Sequence, residues 1–264
     1  MTSISHKFAE LEQQKKLQEK IIQIYEIQRE EQTKEENVNI ISHELRTPMV
    51  PIKMYVDLLK DEKFGKLTTE QKHKLEIISK NSDDLLRIIS KIIDVKKIES
   101  NSFVITKIKN QVNEIISDAI YQINSAYHPV VKIHFSGNMK ILVSCDREKI
   151  IQVFFNIIEN SLKQVNSKNG QINIKVNDSE KEVKITIQDN GPGIAEEFKS
   201  KIFSKNFQID MSISRKVGGL GIGLYLCKHI IEAHGGKIWT ESNHNIGTRI
   251  FFTIPHKPKK DDNT

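Results

Sequence analysis

Aromatic residues make up only 6% of this 264-residue chain, which also has just 2 Cys, 6 Pro and 12 Gly. Few aromatics leave few platforms on which nucleic-acid bases could stack. The two cysteines, Cys145 and Cys227, lie far apart with no CxxC or Cys/His spacing, which argues against a disulfide framework or a zinc site and fits a reducing, cytoplasmic setting. No apolar run is long enough to span a bilayer, and the N-terminus has no apolar signal core. Any membrane-borne part is therefore expected in a missing segment or in a longer parent protein. A dominant charge is lacking too: 40 basic and 34 acidic residues interleave to give +6, without the clustered basic face that DNA or RNA binding needs. The one short basic run, HKPKKDD at 256–262, reads as a frayed terminus. What is abundant is material for a core. Hydrophobic residues are 38% and charged residues 28%, so apolar burial can offset chain entropy in two ordinary domains.

From Ser5 to about Lys60 there is no glycine, and no proline other than Pro48 and Pro51, which suits long helices. Ile4, Phe8, Leu11, Ile22 and Tyr25 recur in three- and four-residue steps, a coiled-coil pattern interrupted by the apolar-free run QREEQTKEEN at 28–37. That polar break is a candidate flexible point. Gly65 ends a helix, and Thr68 with Gln71 supplies a capping box for the next. Beyond it Leu75, Ile78, Leu85, Ile89 and Ile92 form a stripe, widened by Ile88 and Ile93, that is too broad for one partner helix. Two antiparallel helices pairing with the same two of a second chain would cover it. After Ser100 the pattern changes to strand-like alternation at 102–108, 130–137, 140–146, 171–178, 182–189, 237–242 and 248–255. Helical stretches at Val112–Ala126, Arg147–Lys163 and Gly221–His234 intervene. The expected fold class is thus multidomain: an all-α dimeric four-helix bundle with an N-terminal coiled coil, then an α+β two-layer sandwich. The expected domains are 1–31 (coiled-coil signalling helix), 32–100 (helical hairpin), 101–256 (α+β domain) and 257–264 (tail).

Four sequence words carry chemistry. In SHELRTP (42–48), His43 is followed by Glu44, a carboxylate that could fix the imidazole tautomer and leave Nε2 as a nucleophile. Thr47 lies one turn on and shares a helix face with His43, where its hydroxyl could orient a water. Pro48 and Pro51 each remove a helical hydrogen bond just after the reactive residue. In NIIENSLK (156–163), Asn156, Asn160 and Lys163 fall at i, i+4 and i+7 and project from one face. Asparagine carbonyls are hard ligands suited to Mg2+, and lysine adds a positive charge for phosphates. DNGPGI (189–194) places Asp189 beside Gly191 and Gly193 after a strand; the aspartate could accept from an adenine amino group, although the same word alone is also a good turn. GGLGIGL (218–224) sets Gly218, Gly219, Gly221 and Gly223 before a helix starting near Leu224, a natural phosphate site.

In this order the four words resemble the H-, N-, G1 and G2 boxes of sensor histidine kinases of two-component signalling. The resemblance covers roughly Gln32 to Pro255, and HGGKIWTES and GTRIFFTIP match the closing strands. It implies a dimerisation and phosphoacceptor hairpin followed by an ATP-binding domain of the gyrase, chaperone and histidine-kinase type. It implies catalytic roles for His43, Glu44 and Thr47, with Mg2+ held by Asn160 and Asn156. ATP would be bound by Asn156, Asn160, Lys163, Asp189, Gly191, Gly193, Gly219, Gly221, Gly223 and Leu224. His43 would take the γ-phosphoryl group and pass it to the receiver domain of a response regulator in another chain, and Thr47 could help water remove phosphate from that regulator. The segment 202–217 resembles the F-box and lid, with Lys205, Arg215 and Lys216 either near phosphates or on a solvated surface. Gln164, Asn206 and Leu220 depart from the family pattern, in which aromatic or small residues are usual. Two other readings are an ATPase of the same fold without phosphohistidine, and a non-catalytic dimeric scaffold.

Overall fold

The computed structural model describes residues 44, 47–127, 129–137, 140–208, 220–243 and 247–256. The expected coiled coil, its polar break, His43, Gly218, Gly219 and most of the lid lie outside the described residues. The chain divides into two compact units, Met1–Phe103 and Val104–Thr264.

In the first unit, α1 (47–60) is followed by a turn and by α2 (Thr69–Glu99). Pro48 and Pro51 both lie inside α1. The turn uses Gly65 at φ +126, a value an L-residue side chain disfavours. The capping box is present: Thr68 Oγ1 accepts from the Gln71 N–H at 3.2 Å, and Gln71 Oε1 accepts from the Thr68 N–H at 2.8 Å. Lys53 ties the hairpin together, donating from α1 to Ser79 Oγ at 2.7 Å and Asp83 Oδ2 at 3.0 Å on α2. Val56 and Ile89 are buried within the unit, yet Ile78, Leu85, Ile88 and Ile92 of the stripe are exposed, as are Tyr55 on α1 and Ile77 on α2.

In the second unit a five-stranded sheet runs in the order β2–β4–β5–β7–β6. Its strands are β2 (Lys132–Ser136), β4 (Gln171–Asp178), β5 (Glu182–Asp189), β6 (Ile238–Asn243) and β7 (Gly247–Pro255). β2 and β4 are parallel and every other pair is antiparallel. β1 (Ile108–Gln111) and β3 (Leu142–Cys145) form a separate antiparallel ribbon. The helices are α3 (Val112–Tyr127), α4 (Arg147–Gln164), α5 (Glu196–Lys199) and α6 (Gly223–Ala233). Along β5, Val183, Ile185 and Ile187 are buried in alternation, and the register sets Ile185 opposite Phe252 and Ile187 opposite Ile250. A one-residue slip would turn this whole set away from the helices. Phe154 of α4 meets Phe252 edge to face at 5.3 Å between ring centroids. Ile115, Ile116, Ile123 and Ile157 join them with 0–1% exposure, each burial stabilising by about 2 kcal/mol.

Two expectations shift. The alternation at 102–108 makes no strand before Ile108: β3 is only four residues long, and the Thr106 N–H goes instead to the Asp146 side chain at 3.0 Å. The last helix begins at Gly223, because Gly221 at φ +66 cannot continue a right-handed turn. Trp239, in the HGGKIWTES word, is half-buried. It stacks on Phe251 at 5.2 Å, with Lys184 Nζ 5.4 Å above its ring, because the β6–β7 register places the two aromatics directly opposite on one face. Cys145 and Cys227 are both free and buried; burial pushes the Cys145 thiol up to about 11, so it stays protonated at neutral pH.

Candidate active site

α4 is the element on which the site is assembled. Its N-cap Asp146 accepts from the Lys149 N–H at 3.2 Å, Glu148 sits in its first turn and Lys163 in its last, so cap and charges all suit the helix dipole. The Asp146 N–H donates to His234 Nε2 at 2.9 Å, while His234 Nδ1 lies 2.7 Å from the Ile230 carbonyl. His234 is buried, and desolvation, the largest influence, pulls its pKa below the usual 6.5. Folded His234 is therefore neutral where the unfolded residue is protonated, so its contribution to stability is present above pH 6.5 and lost as pH falls below it. Protonated Nε2 would point an N–H at the Asp146 N–H. We expect thermal melts of the wild type to decline on acidification from about pH 7, with a slope of up to ~1.4 kcal/mol per pH unit that His234→Gln removes.

Along α4 the expected polar set separates into distinct roles. Asn156 is 1% exposed; its Nδ2 makes a long hydrogen bond of 3.5 Å to the Gly223 carbonyl, and its Oδ1 has no hydrogen-bond partner among the described residues. A buried, unpaired carbonyl oxygen costs about 1–3 kcal/mol, which a bound cation or water would recover. Asn160 is half-exposed one turn on. Lys163 pairs with Glu159 Oε1 at 2.9 Å, and the Tyr127 hydroxyl donates to the same oxygen at 2.7 Å. The lysine expected on phosphate is thus held on a neighbouring acid.

Asp189, at the end of β5, is 7% exposed and accepts three hydrogen bonds. Ser161 Oγ donates to Oδ2 at 2.8 Å; the Gly191 and Thr248 N–H groups donate to Oδ1 at 3.0 and 3.1 Å. Asn190 beside it is a staple, accepting from the Gln171 N–H and donating to the Asn169 carbonyl, both at 2.8 Å. A Cβ at Gly191 would come 3.1 Å from Asp189 Oδ1, and Gly193 takes φ +78. Gly247 is stricter: at φ +106 its Cβ would sit 2.1 Å from the Asp189 carbonyl oxygen. Gly247→Ala should destabilise the unit by about 3 kcal/mol, seen as a melting temperature roughly 8 °C lower.

Gly221 packs on the backbone of Asn206, 2.8 Å from where its Cβ would be. Asn206 itself has φ +60, a conformation that asparagine tolerates and an aromatic residue does not. This explains the departure from the family pattern at that position. Phe198 and Phe207 rings meet at 5.9 Å beside it. No side chain caps the N-terminus of α6, which leaves Gly223 and half-buried Leu224 presenting backbone donors at the positive end of a helix dipole. Glu44 and Thr47 are exposed in the other unit. The structure thus joins Asn156 to Gly223 and Ser161 to Asp189, so one helix touches both glycine words. Ser161, Thr248 and His234 were not singled out in the sequence; only a serine directly after Asn160 and a threonine directly after Gly247 hinted at the first two.

Residues 145–258 match the model of the histidine kinase-, DNA gyrase B- and HSP90-like ATPases, and residues 33–101 match the His kinase A (phospho-acceptor) domain. The catalytic domain of the histidine kinase ThkA is 33% identical, with 58% of this chain and 97% of that chain aligned at a TM-score of 0.51. The chain belongs to the sensor histidine kinases of two-component signalling. The sensor histidine kinase WalK of Bacillus subtilis (strain 168) is 29% identical over 249 residues, and the sensor protein kinase WalK of Staphylococcus haemolyticus (strain JCSC1435) is 31% identical over 233. These alignments cover 92% and 88% of this chain but 40% and 38% of those proteins, so the chain spans well under half their length. A ThkA structure in complex with the response regulator protein TrrA aligns at a TM-score of 0.54 with 28% identity, covering 89% of this chain and 67% of that one. No described helix is long and apolar enough to cross a membrane.

Proposed function

We propose that this histidine kinase core autophosphorylates His43 from ATP and passes the phosphoryl group to an aspartate of a response regulator in another chain. The observation that carries the reading is the double tie of α4, through Asn156 to the start of α6 and through Ser161 to Asp189. Asp189 would take the adenine amino group, with Gly191 and Gly193 allowing the base to approach. Gly219, Gly221, Gly223 and Leu224 would supply backbone donors to the phosphates. The unpaired Oδ1 of Asn156 and the carboxamide of Asn160 fit Mg2+, a hard cation that keeps several waters. When bound, it would neutralise charge developing on the transferred phosphoryl group. Lys163 would exchange Glu159 for phosphate, and Lys205 beside the lid could join it.

His43 Nε2 forms a bond to the γ-phosphorus as the bond to the β,γ-bridging oxygen breaks; ADP leaves, and Glu44 accepts the proton released from the imidazole. A carboxylate oxygen of the regulator then attacks the phosphorus, and His43 leaves as neutral imidazole once Glu44 has returned the proton. Thr47 would position a water to hydrolyse the regulator's aspartyl phosphate, releasing inorganic phosphate. The catalytic unit must approach the hairpin, so a domain movement belongs to the cycle. Exposed Tyr55, Ile78, Leu85 and Ile88 support pairing of α1 and α2 with a second copy in a four-helix dimer, placed in the cytoplasm. The test is incubation with γ-labelled ATP and Mg2+. Label that is lost in acid and kept in base is the expected result; hydrolysis without label would make the chain a plain ATPase, and absence of nucleotide binding would make it a scaffold.

A further inference from the structure

We propose that Ser161 is a positioning residue that sets the base selectivity of the nucleotide site, by fixing Asp189 so that it accepts a 6-amino purine and rejects a 6-oxo purine. The proposal rests on the reading that Asp189 meets the base. The two oxygens of Asp189 are used unequally. Oδ1 receives two backbone donors, from Gly191 at 3.0 Å and Thr248 at 3.1 Å, which occupy its two lone-pair directions. Oδ2 receives the Ser161 hydroxyl at 2.8 Å, the one donor to it among the described residues, and keeps one lone pair for a ligand.

A carboxylate torsion is intrinsically broad, so two donors on one oxygen leave the other able to swing about them. Ser161 removes that freedom by anchoring Oδ2 to α4. Because Ser161 is 5% exposed and Asp189 7%, solvent does not readily replace either partner. The remaining lone pair is then aimed in one direction. A base that brings an N–H there gains a hydrogen bond; a base that brings a carbonyl oxygen sets acceptor against acceptor with no donor between them. Without the hydroxyl, the carboxylate can turn aside from the oxo group, and the penalty against it shrinks.

The experiment is calorimetric titration of ATP and of ITP into the full chain, for the wild type and for Ser161→Ala, Ser161→Cys and Asp189→Asn, with thermal melts alongside. Ser161→Ala should bind ATP about tenfold more weakly and lower the ATP-to-ITP affinity ratio by about tenfold, because ITP binding changes little. A purely structural loss would weaken both nucleotides together and leave the ratio unchanged. Ser161→Cys, near-isosteric but a weak donor, should lower the ratio as well and carries the test if the alanine variant does not fold. An unchanged ratio in the folded Ser161 variants, with the ratio lost in Asp189→Asn, overturns the role of Ser161 and leaves Asp189 as the base reader. An unchanged ratio in all three overturns both.

Discussion

His43→Gln is expected to eliminate acid-labile phosphorylation entirely while leaving ATP affinity within about twofold of the wild type. Glutamine keeps a polar side chain of similar length, but its amide nitrogen is not nucleophilic and forms no phosphoramidate. The residues proposed to bind nucleotide belong to the other compact unit, from Val104 on, and the substitution removes no group from them. Adding the purified variant to labelled wild-type protein checks the assignment further, since no label should appear on it. Residual acid-labile label on the variant would move the acceptor to another of the chain's nine histidines.

Asp189→Asn is expected to weaken ATP binding by roughly a hundredfold, equivalent to about 3 kcal/mol, with far smaller loss of phosphotransfer from His43 phosphorylated beforehand. The carboxylate accepts from Ser161, Gly191 and Thr248 and donates nothing. An amide must turn its NH2 toward either the Ser161 hydroxyl or the two backbone N–H groups. Setting it toward the backbone pair collides donors that cannot move. Setting it toward Ser161 forces the hydroxyl to reverse and leaves the NH2, a donor, where the adenine amino group must bring its own hydrogen. Either orientation loses a hydrogen bond to a charged group. Equilibrium titration of a fluorescent ATP analogue measures the effect, and an affinity within threefold of the wild type would remove Asp189 from the base site.

The local devices of this fold were legible in the sequence because each is written within a few residues. Thr68 and Gln71 announce their capping box, and the alternation of 182–189 announces β5 and its buried face. The glycine words likewise declare turns, and Gly193 and Gly221 do take positive φ. What could not be read is what these pieces touch. The Ser161–Asp189 bond spans 28 residues and the His234–Asp146 bond 88, and neither spacing has a periodicity to reveal it. Lys163 shows the same limit at short range: its face was readable, but not that Glu159, one turn earlier and itself held by Tyr127, would take the ammonium. Asn206 looked like a defect against the family pattern until its φ of +60 gave asparagine a reason to be there.

The ties at Asn156 and Ser161 make α4 a ruler. They lie five positions apart, about 7.5 Å of axial rise, so the interval between the end proposed to hold the metal and the end proposed to read the base is set by helical pitch. A loop of the same span could stretch or fold with temperature, crystal or ligand; a hydrogen-bonded helix cannot. Inserting one residue between the two would lengthen the gauge by a single step but rotate one end about 100° from the other, uncoupling recognition of the base from placement of the phosphates. On that reading, the dimension that must match the nucleotide is kept by the rod beneath the glycine turns rather than by the turns themselves.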